Sequence, residues 1–518
     1  MVQAETLYRQ GLHANGTPVV GHRDEGQSLQ GRAAACVNCH RRSGFGLSEG
    51  KTLIPGISAG LLFRVRNNNA PAPDAMPASV MQFRAPYTES TVGRAIREGL
   101  GSDGQPLSLL MPRYDLTDQE IGALVDYLRQ LSQGPFPGVS QDRLDFATII
   151  TPEAPAAAAE AMVATLHQFF QDREHIIAGE ARPLTHTERG VVYRITRHWA
   201  LHEWRLHGAP DTWAAQLAQY QQTTPAFAVI SGIGGAHWAP VQDFCESAQL
   251  PCLFPNVDTP PPSSGFYSVY FSRGLGLESA VLQTALTQAD PAASATPNGT
   301  DRRVLQVLLA DGPAEQAAQQ LAVGLGAQGW QVETRRVQPG SAWFAPLEQA
   351  PPAGQAVDLV LWLPPEELAR LPARVPPLAG LWVSGLLGDL ERAPMPAPWR
   401  ARAKLTYPVE LPERRLISMK LPEGWFRIHH LALDAPRIQF QTYTACQILS
   451  EMVSELQGSF VPEYLLERSE VMLSHRRQNG LFGHLSLGID QRYASKGAYL
   501  VTLDDDGRVH ADGDWRVP

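Results

Sequence analysis

The fold class is indicated most clearly by residues 226–260, AFAVISGIGGAHWAPVQDFCESAQLPCLFPNVDTP. It contains a short apolar run, AFAVISG, then an amphipathic segment, APVQDFCESAQ, and then a second apolar run, LPCLF. Short apolar strands that alternate with amphipathic helices are typical of a parallel sheet covered by helices on both faces. The stretch therefore predicts a strand–helix–strand unit of an α/β protein.

The same alternation extends on both sides of this unit. Upstream, FATII predicts a strand and AMVATLHQFFQDREHIIAGE a helix. Downstream the pattern restarts with the strand RRVLQVLLAD, the helix EQAAQQLAVGLGAQGW and the strands QVETRRV, VDLVLWL and GLWVSG. A long helix, QFQTYTACQILSEMVSEL, follows, and GAYLVTLDDDGRVHADGDW predicts a hairpin with a DG turn. We therefore predict a two-lobed α/β clamshell over residues 144–518, with lobes at about 144–275 and 276–430 and C-terminal crossings at 431–518.

Composition and charge limit the classes of function. The 518 residues are 44% apolar and 18% charged, as in ordinary globular proteins. A formal net charge of −9 leaves no polybasic surface, so nucleic acid is not an expected partner. No apolar run reaches the roughly 18 residues that span a membrane. No catalytic triad, paired carboxylates or Walker loop stands out, and ISGIGG lacks the full dinucleotide fingerprint, so we do not predict an enzyme.

The first 140 or so residues differ in composition from the rest, because all eleven tryptophans lie at or beyond Trp199. This part ends with the segment DLTDQEIGALVDYLRQLSQG, residues 115–134, which predicts a helix. Thr117 is its expected N-cap, with Glu120 three residues on as in a capping box. The following GPFPGVSQD is typical of a linker. We therefore predict a domain at residues 1–134 and a linker at 135–143.

The sequence CVNCH, residues 36–40, carries the chemistry of this N-terminal domain and has three interpretations. In a c-type haem site the two thiols add to the haem vinyl groups and the histidine is held under the iron. A structural zinc site needs a further ligand pair, whereas the next cysteine is Cys245. A dithiol redox site opens a helix after a strand, whereas the flanks here are glycine-rich. We favour one covalent haem c, attached through Cys36 and Cys39, with His40 as an iron ligand.

The second axial ligand of this haem is expected to be a methionine. Met111 lies in LLMPRYDLTDQEI, a loop before the last helix, where a thioether can be held rigidly over the opposite haem face. Met76 and Met81 are the rivals, and filling a core is the alternative role of any methionine. His/Met ligation favours electron transfer over small-molecule activation. His13 and His22 are expected to be solvated.

Three segments together resemble a monohaem cytochrome c of the small, all-helical type. They are CVNCH, SEGKTLIPGISAGLLF and GSDGQPLSLLMPRYDLTDQEIGALVDYL, and the resemblance covers about residues 4–132. It implies an all-α cytochrome c domain in front of the clamshell. It also implies that the Pro55 carbonyl accepts a hydrogen bond from Nδ1 of His40, which would fix the ring and tune its basicity. A plain turn is the alternative role of Pro55.

The remaining residues resemble type I periplasmic substrate-binding proteins of branched-chain amino-acid ABC transporters. The matching pieces are FATIITPEA, AFAVISGIGG, LPCLFPNVDTP, SVYFSRG and LGIDQRYASKGAYLVTL. In that family ligands contact loops at the carboxyl ends of the first lobe's strands, as open α/β sheets generally require. Here those loops carry the candidate ligand-binding residues Ser231, Gly232, Gly234, Asp258 and Thr259.

The glycine-rich loop after Ser231 exposes backbone N–H groups that could hold a carboxylate or another anion. A tight loop that only turns the chain is the alternative. Asp258 stands where amino-acid binders often present small hydroxyl residues, which puts an α-amino-acid ligand in doubt. Cys245 and Cys252 flank a helix-to-strand connection and are candidates for a short disulfide or for two buried thiols. Cys446 is expected to be a small core residue.

Two functions follow from the two resemblances. The first is a periplasmic electron-transfer protein whose clamshell binds a small molecule or docks a redox partner, with a quinoprotein dehydrogenase as a candidate partner. The second is a solute-binding receptor of an ABC-type uptake system with an accessory haem domain. A haem enzyme is disfavoured because Met111 would leave no open position on the iron. In either case we expect a periplasmic protein whose export signal is absent from this sequence.

Overall fold

A computed structural model of the chain describes residues 2–23, 26–49, 52–63, 85–180, 197–262, 265–288, 303–344, 357–456, 458–477 and 479–518. The chain forms two compact units. The first comprises Met1–Val139 and Glu451–Arg468, and the second comprises Ser140–Ser450 and Ser469–Pro518. The sequence analysis placed residues 451–468 in the C-terminal crossings of the clamshell, whereas their contacts assign them to the first unit.

The first unit contains both helices and short strands. Its helices are α1 Val2–Gln10, α2 Val37–His40, α3 Ala59–Leu62, α4 Glu89–Glu98 and α5 Asp118–Gln130. Its strands are β1 Val20–His22, β2 Ser28–Gln30, β3 Leu47–Glu49, β4 Thr52–Ile54 and β5 Arg113–Tyr114. The strands form an antiparallel sheet in the order β2-β1-β5 and a β3-β4 hairpin. The secondary structure is therefore mixed, and the expected all-α composition is not what the structure shows.

Helix α5 begins where the capping box predicts. The Thr117 hydroxyl accepts a hydrogen bond from the Glu120 backbone N–H, and the Glu120 carboxylate accepts one from the Thr117 N–H at 2.9 Å. Its apolar positions recur at helical spacing and are buried, together with Leu7 and Tyr8 of α1. This apolar face forms the core of the first unit.

The second unit contains two sheets, one for each predicted lobe. The first is parallel and the second is mixed. The first sheet has the order β10-β9-β8-β6-β7. Its strands are β6 Arg143–Ile150, β7 His198–Arg205, β8 Ala228–Ile230, β9 Cys252–Leu253 and β10 Ser268–Val269. Its helices are α6 Ala156–Glu180, α7 Trp213–Thr223 and α8 Ala239–Ser247. The opening stretch of sequence thus forms β8, α8 and β9 as predicted.

The second sheet has seven strands in the order β12-β11-β13-β14-β15-β16-β17. They are β11 Arg303–Leu309, β12 Gln331–Val337, β13 Val357–Trp362, β14 Gly380–Val383, β15 Ala403–Tyr407, β16 Tyr499–Leu503 and β17 Val509–Ala511. The first five are parallel, whereas β16 and β17 are antiparallel to their neighbours and form the predicted hairpin. The helices around this sheet are α9 Leu275–Gln288, α10 Glu315–Gly326, α11 Pro365–Leu368, α12 Ala397–Arg400 and α13 Pro412–Ile428.

Two helices follow near the C-terminus, α14 Pro436–Glu455 and α15 Pro462–His475. Each lobe has its own buried core. In the first lobe Trp204, Trp213 and Trp238 are fully buried beside the sheet. In the second lobe α9 and α10 cover the sheet with a buried leucine-rich face. The loops that could bind a ligand follow the carboxyl ends of the parallel strands, and the sheets hold these loops in place.

Candidate functional site

The CVNCH motif, residues 36–40, forms a single helical turn, and we refer to it as the attachment motif after its predicted role. The backbone N–H groups of Cys39 and His40 both donate to the Cys36 carbonyl, at 3.2 and 2.9 Å. Residues three apart in a helix lie on the same face, so the Cys36 and Cys39 thiols share one side of this turn. Both cysteines are free and partly buried. Burial raises the pKa of the Cys36 thiol to about 12 and also raises that of Cys39. A reactive dithiol needs a depressed pKa, so these values disfavour the redox interpretation.

The ring of His40 is oriented by the Pro55 carbonyl. His40 Nδ1 lies 2.9 Å from the Pro55 oxygen and must donate, because a carbonyl only accepts. Burial lowers the pKa of His40, and the bond to Pro55 offsets this only in part. This direction favours the neutral imidazole, and with Nδ1 as the donor that form leaves Nε2 without a proton. This is the tautomer that a metal-bound histidine requires.

Two glycines allow the Pro55 segment to approach the loop that follows His40. Gly46 has a φ of +77°, and its N–H donates to the His40 carbonyl at 3.1 Å. A Cβ on Gly46 would lie 2.1 Å from the Ile54 oxygen, and a Cβ on Gly56 would lie 2.9 Å from the Phe45 oxygen. A side chain on Gly46 would therefore displace the backbone at Ile54 and Pro55, and one on Gly56 would displace the Phe45 carbonyl.

Met111 borders the same core as the attachment motif. Its side chain is partly buried and packs on the first unit's core, as do Cys36 and Val37. The Met111 N–H donates to the Ser108 carbonyl at 3.1 Å, and the Met111 carbonyl accepts a hydrogen bond from the Arg113 guanidinium. The rival ligands Met76 and Met81 lie outside the described residues.

The donor set fits a c-type haem. It comprises two thiols on one helical turn, an imidazole whose Nδ1 is held by Pro55 and a thioether, and Cys36 and Met111 pack against the same apolar core. Within the described ranges, no group of three or more His, Cys, Asp or Glu residues could hold a bare metal ion. Of the two histidines expected to be solvated, His22 is exposed and lies 3.2 Å from the exposed Asp115, whereas His13 is partly buried and pairs with Glu120 at 2.6 Å.

In the second unit, the glycines of the loop after β8 make room for a tryptophan. A Cβ on Gly232 or Gly234 would lie 2.8 or 2.6 Å from the fully buried Trp238 ring. Ser231, at the start of this loop, has a φ of +51°, which is uncommon for a residue with a side chain. Packing around Trp238 therefore gives these glycines a structural role of their own.

One backbone N–H at the end of this loop, that of His237, already donates to a carboxylate from the same chain. Glu153 follows β6 and accepts a hydrogen bond from the His237 N–H at 3.2 Å, and its other oxygen lies 2.5 Å from His237 Nδ1. A Cβ on Gly235 would also meet Glu153. An anionic ligand at this loop would have to compete with Glu153. The loop is therefore not the open anion-binding site that its glycine-rich sequence suggests.

Ser231 lies next to Asn256 at the carboxyl edge of the sheet, but its hydroxyl faces inward. Ser231 Oγ bonds to Thr442 Oγ1 of α14 at 2.8 Å, and Asn256 Nδ2 donates to Ser231 Oγ at 3.0 Å. The local sequence gives no sign of Thr442, because this residue lies 211 positions after Ser231.

Three polar atoms at this edge are buried and have no hydrogen-bond partner among the described residues. They are Thr151 Oγ1, Asn256 Oδ1 and Thr259 Oγ1. The Thr151 N–H donates to the Ile233 carbonyl, and Ile233 forms an isolated bridge with Asn256, so Thr151 and Asn256 both lie next to Ile233 in the loop after β8. The sequence analysis missed Thr151, whose signal was its position directly after the strand FATII.

Asp258 is not a free acid. Arg437, at the start of α14, forms two bonds to its carboxylate, at 2.8 and 3.2 Å. Burial lowers the pKa of Arg437, but the Asp258 charge outweighs burial and the net shift is upward. Asp258 and Arg437 therefore neutralise one another, and neither offers an isolated charge to a ligand.

Glu278 of α9 is a deeply buried acid whose hydrogen-bond partners lie in the second lobe. It is fully buried and accepts hydrogen bonds from the Leu386 N–H at 3.0 Å, from Thr406 Oγ1 at 2.6 Å and from Ser384 Oγ. Burial raises the pKa of Glu278 to about 7 despite these donors. The contacts join α9 to the carboxyl ends of β14 and β15.

Cys245 and Cys252 are both free, buried thiols in the first lobe. A hydrogen bond with Cys252 and burial raise the pKa of the Cys245 thiol well above its ordinary value. The two sulfurs therefore lie next to one another, as the candidate pairing requires, and the disulfide stays a prediction. Cys446 is fully buried in α14.

The two α/β lobes of the second unit have the fold of type I periplasmic binding proteins. Among solved structures, this fold is shared by a branched chain amino acid ABC transporter from Thermus thermophilus with bound valine. The identity is 10%, 74% of this chain and 97% of that chain are covered, and the TM-score is 0.52. No helix of the described residues is long and apolar enough to cross a membrane.

Two further structures share the fold. One is a possible leucine/isoleucine/valine-binding protein from Rhodopirellula baltica SH 1, at 14% identity and a TM-score of 0.50, covering 72% of this chain and 97% of that chain. The other is a substrate-binding periplasmic protein from Ralstonia solanacearum, at 13% identity and a TM-score of 0.50, covering 71% and 99%. No protein-family model and no curated protein matches the chain. At these identities the likeness shows the fold alone, and the haem stays a prediction.

Proposed function

We propose that the chain is a periplasmic solute-binding protein that carries one covalent haem c in its first unit. The solute would bind at the carboxyl edge of the five-stranded sheet. The observation that carries this proposal is the set of buried polar atoms there without a partner, Thr151 Oγ1, Asn256 Oδ1 and Thr259 Oγ1. Buried polar atoms in folded proteins are nearly always hydrogen-bonded, so three of them at one sheet edge indicate a ligand that completes them.

The charges at this edge favour an uncharged solute. Glu153 already accepts the His237 N–H at the end of the glycine-rich loop, and Asp258 pairs with Arg437. The groups that remain are two hydroxyls and an amide oxygen, which bond well to neutral hydroxyl or amide groups. An α-amino acid would need to displace Glu153, so we expect valine to bind weakly.

Native mass spectrometry of the protein purified from a bacterial periplasm tests solute binding directly. We expect a non-covalent adduct on the wild-type chain and its loss in Asn256→Ala, because the variant removes the amide that faces the solute. Thr284→Ala, on α9, is the matched control and should keep the adduct. Titration with l-valine in a calorimeter tests the ligand class. Tight, saturable binding of l-valine would contradict an uncharged ligand, and the absence of any adduct would contradict solute binding.

The haem would be held by residues of the first unit. Cys36 and Cys39 would form its thioether bonds, and His40 Nε2 and the Met111 thioether would be its iron ligands. A bound haem of this kind supplies a reversible one-electron couple. The Pro55 carbonyl holds the His40 ring in the required tautomer, and the hydrogen bonds of the Met111 loop hold the thioether in place.

Electron transfer to a redox partner is the second candidate function, and the His40–Met111 donor set favours it. A quinoprotein dehydrogenase, supplied with its alcohol substrate, should reduce the haem, and the reduction would appear as a change in haem absorbance. Failure of any such enzyme to reduce a haem that dithionite does reduce would favour the solute-receptor function of an ABC-type uptake system instead.

A further inference from the structure

The first unit is completed by residues far from it in sequence. The segment Glu451–Arg468 belongs to this unit, and its Glu467 lies 424 positions after the residue that it contacts, Ser43. Glu467 lies on α15 and is only 5% exposed. A carboxylate so deeply buried needs strong donors, and it finds them in the loop that follows the attachment motif.

Glu467 clamps Ser43 through both of its oxygens. One oxygen accepts the Ser43 N–H at 2.9 Å and the other accepts the Ser43 hydroxyl at 2.5 Å. Ser43 is fully buried, and its own carbonyl accepts a bond from Ser132 Oγ at 2.6 Å. Next to this clamp, the Phe45 ring meets the Tyr464 ring edge to face at 4.7 Å. The clamp therefore fixes both the backbone and the side chain of Ser43.

The clamped loop leads directly to the histidine. Within Arg41–Gly46, the Arg41 carbonyl accepts a bond from the Tyr8 hydroxyl at 2.6 Å, and the Gly46 N–H returns to the His40 carbonyl at 3.1 Å. The Gly44 carbonyl accepts bonds from the N–H groups of Ile57 and Ser58, at 2.7 and 3.0 Å. These bonds tie the loop to the segment that carries Pro55, whose carbonyl orients His40.

We propose that Glu467 is a positioning residue for the haem, acting through Ser43 on the loop that holds His40 and Pro55. This inference rests on the proposed haem attachment. An ionised carboxylate in a poorly solvated part of a haem unit would stabilise ferric over ferrous iron, and the reduction potential of Glu467→Gln tests whether Glu467 carries that charge. In this proposal the C-terminal part of the chain influences the ligand geometry and the reduction potential of a haem that the N-terminal part attaches.

The experiment uses the full-length haem protein and two substitutions. Glu467→Gln keeps the shape but removes the charge, so we expect a higher reduction potential with near-normal amide hydrogen exchange in residues 41–46. Glu467→Ala also removes the acceptors, so we expect exchange in residues 41–46 to rise at least tenfold. Asp126→Asn, an exposed acid on α5 of the same unit, is the control and should change neither quantity.

The outcomes separate this inference from the proposed function. A wild-type chain without covalent haem would overturn both. A wild-type chain with haem, whose potential and loop exchange are unchanged by both Glu467 substitutions, would overturn the positioning role alone. A raised exchange in Glu467→Ala with an unchanged potential in Glu467→Gln would leave Glu467 a purely structural residue, which also overturns the proposal.

Discussion

At the scale of single residues, Glu278 shows how the second unit uses a buried charge. Its carboxylate accepts hydrogen bonds from Ser384 and Leu386 in the loop after β14 and from Thr406 of β15, yet burial still raises the pKa of Glu278 to about 7. Desolvation therefore outweighs the donors. The consequence is a folded state that binds a proton more tightly than the unfolded chain does.

This difference makes stability depend on pH. Between the ordinary value of 4.5 and about 7, Glu278 is protonated in the folded state and ionised in the unfolded state, so stability falls as pH rises through this window. The contribution amounts to about 3 kcal/mol in the free energy of unfolding. We expect Glu278→Gln to remove most of this slope in denaturant titrations between pH 4.5 and 7.5. Glu423→Gln, an exposed acid, should keep it, and an unchanged slope in Glu278→Gln would contradict the assignment.

Met111 makes a second prediction at this scale. If its sulfur binds the iron, Met111→Ala should abolish the near-infrared sulfur–iron band of the ferric protein and lower the reduction potential, because a softer ligand that favours ferrous iron is lost. Leu110→Ala, at the exposed neighbouring position, should leave the band intact. A band that survives in Met111→Ala would transfer the ligand role to Met76 or Met81.

The sequence predicted those site residues whose hydrogen-bond partners lie close to them along the chain. The His40–Pro55 contact spans 15 positions and follows from a family pattern. Ser231, Asp258 and Ser43 instead meet Thr442, Arg437 and Glu467, which lie 179 to 424 positions away. Nothing in the local sequence marks such partners, because the fold alone brings them together.

At the scale of elements, periodicity and capping predicted most of the sheet-forming chain. The strand–helix alternation around residues 226–260 gives β8, α8 and β9, and the DG turn gives the β16–β17 hairpin. Helix α13 was missed because Pro422 and Gly424 interrupt its pattern. The short strands of the first unit were missed because runs of two or three residues carry no periodic signal.

Helix α5 offers a prediction at this scale. Thr117→Ala removes the hydroxyl that accepts the Glu120 N–H, so the free energy of opening of α5 should fall by about 1 kcal/mol. Hydrogen exchange of the α5 amides measures this directly. Gln130→Ala, at the exposed end of the same helix, should change it by less than about 0.5 kcal/mol. Equal effects of the two substitutions would show that the capping box contributes nothing.

At the scale of the whole molecule, the chain order does not follow the division into units. The linker predicted at 135–143 falls at the observed division between Val139 and Ser140, but Glu451–Arg468 returns to the first unit. Composition could locate the first boundary, since the tryptophans begin after it. The return could not be predicted, because the long helix QFQTYTACQILSEMVSEL gives no sign that its last residues join a different core.

The central claim is that a solute-binding fold carries one covalent haem c, and intact-mass spectrometry tests it most directly. The full-length protein, produced with cytochrome c maturation in a bacterial periplasm and then denatured, should carry the mass of one haem per chain. The double variant with Cys36→Ala and Cys39→Ala should carry none, whereas Cys446→Ala should retain it. A denatured wild-type chain without haem mass, or a double variant that keeps it, would contradict the account.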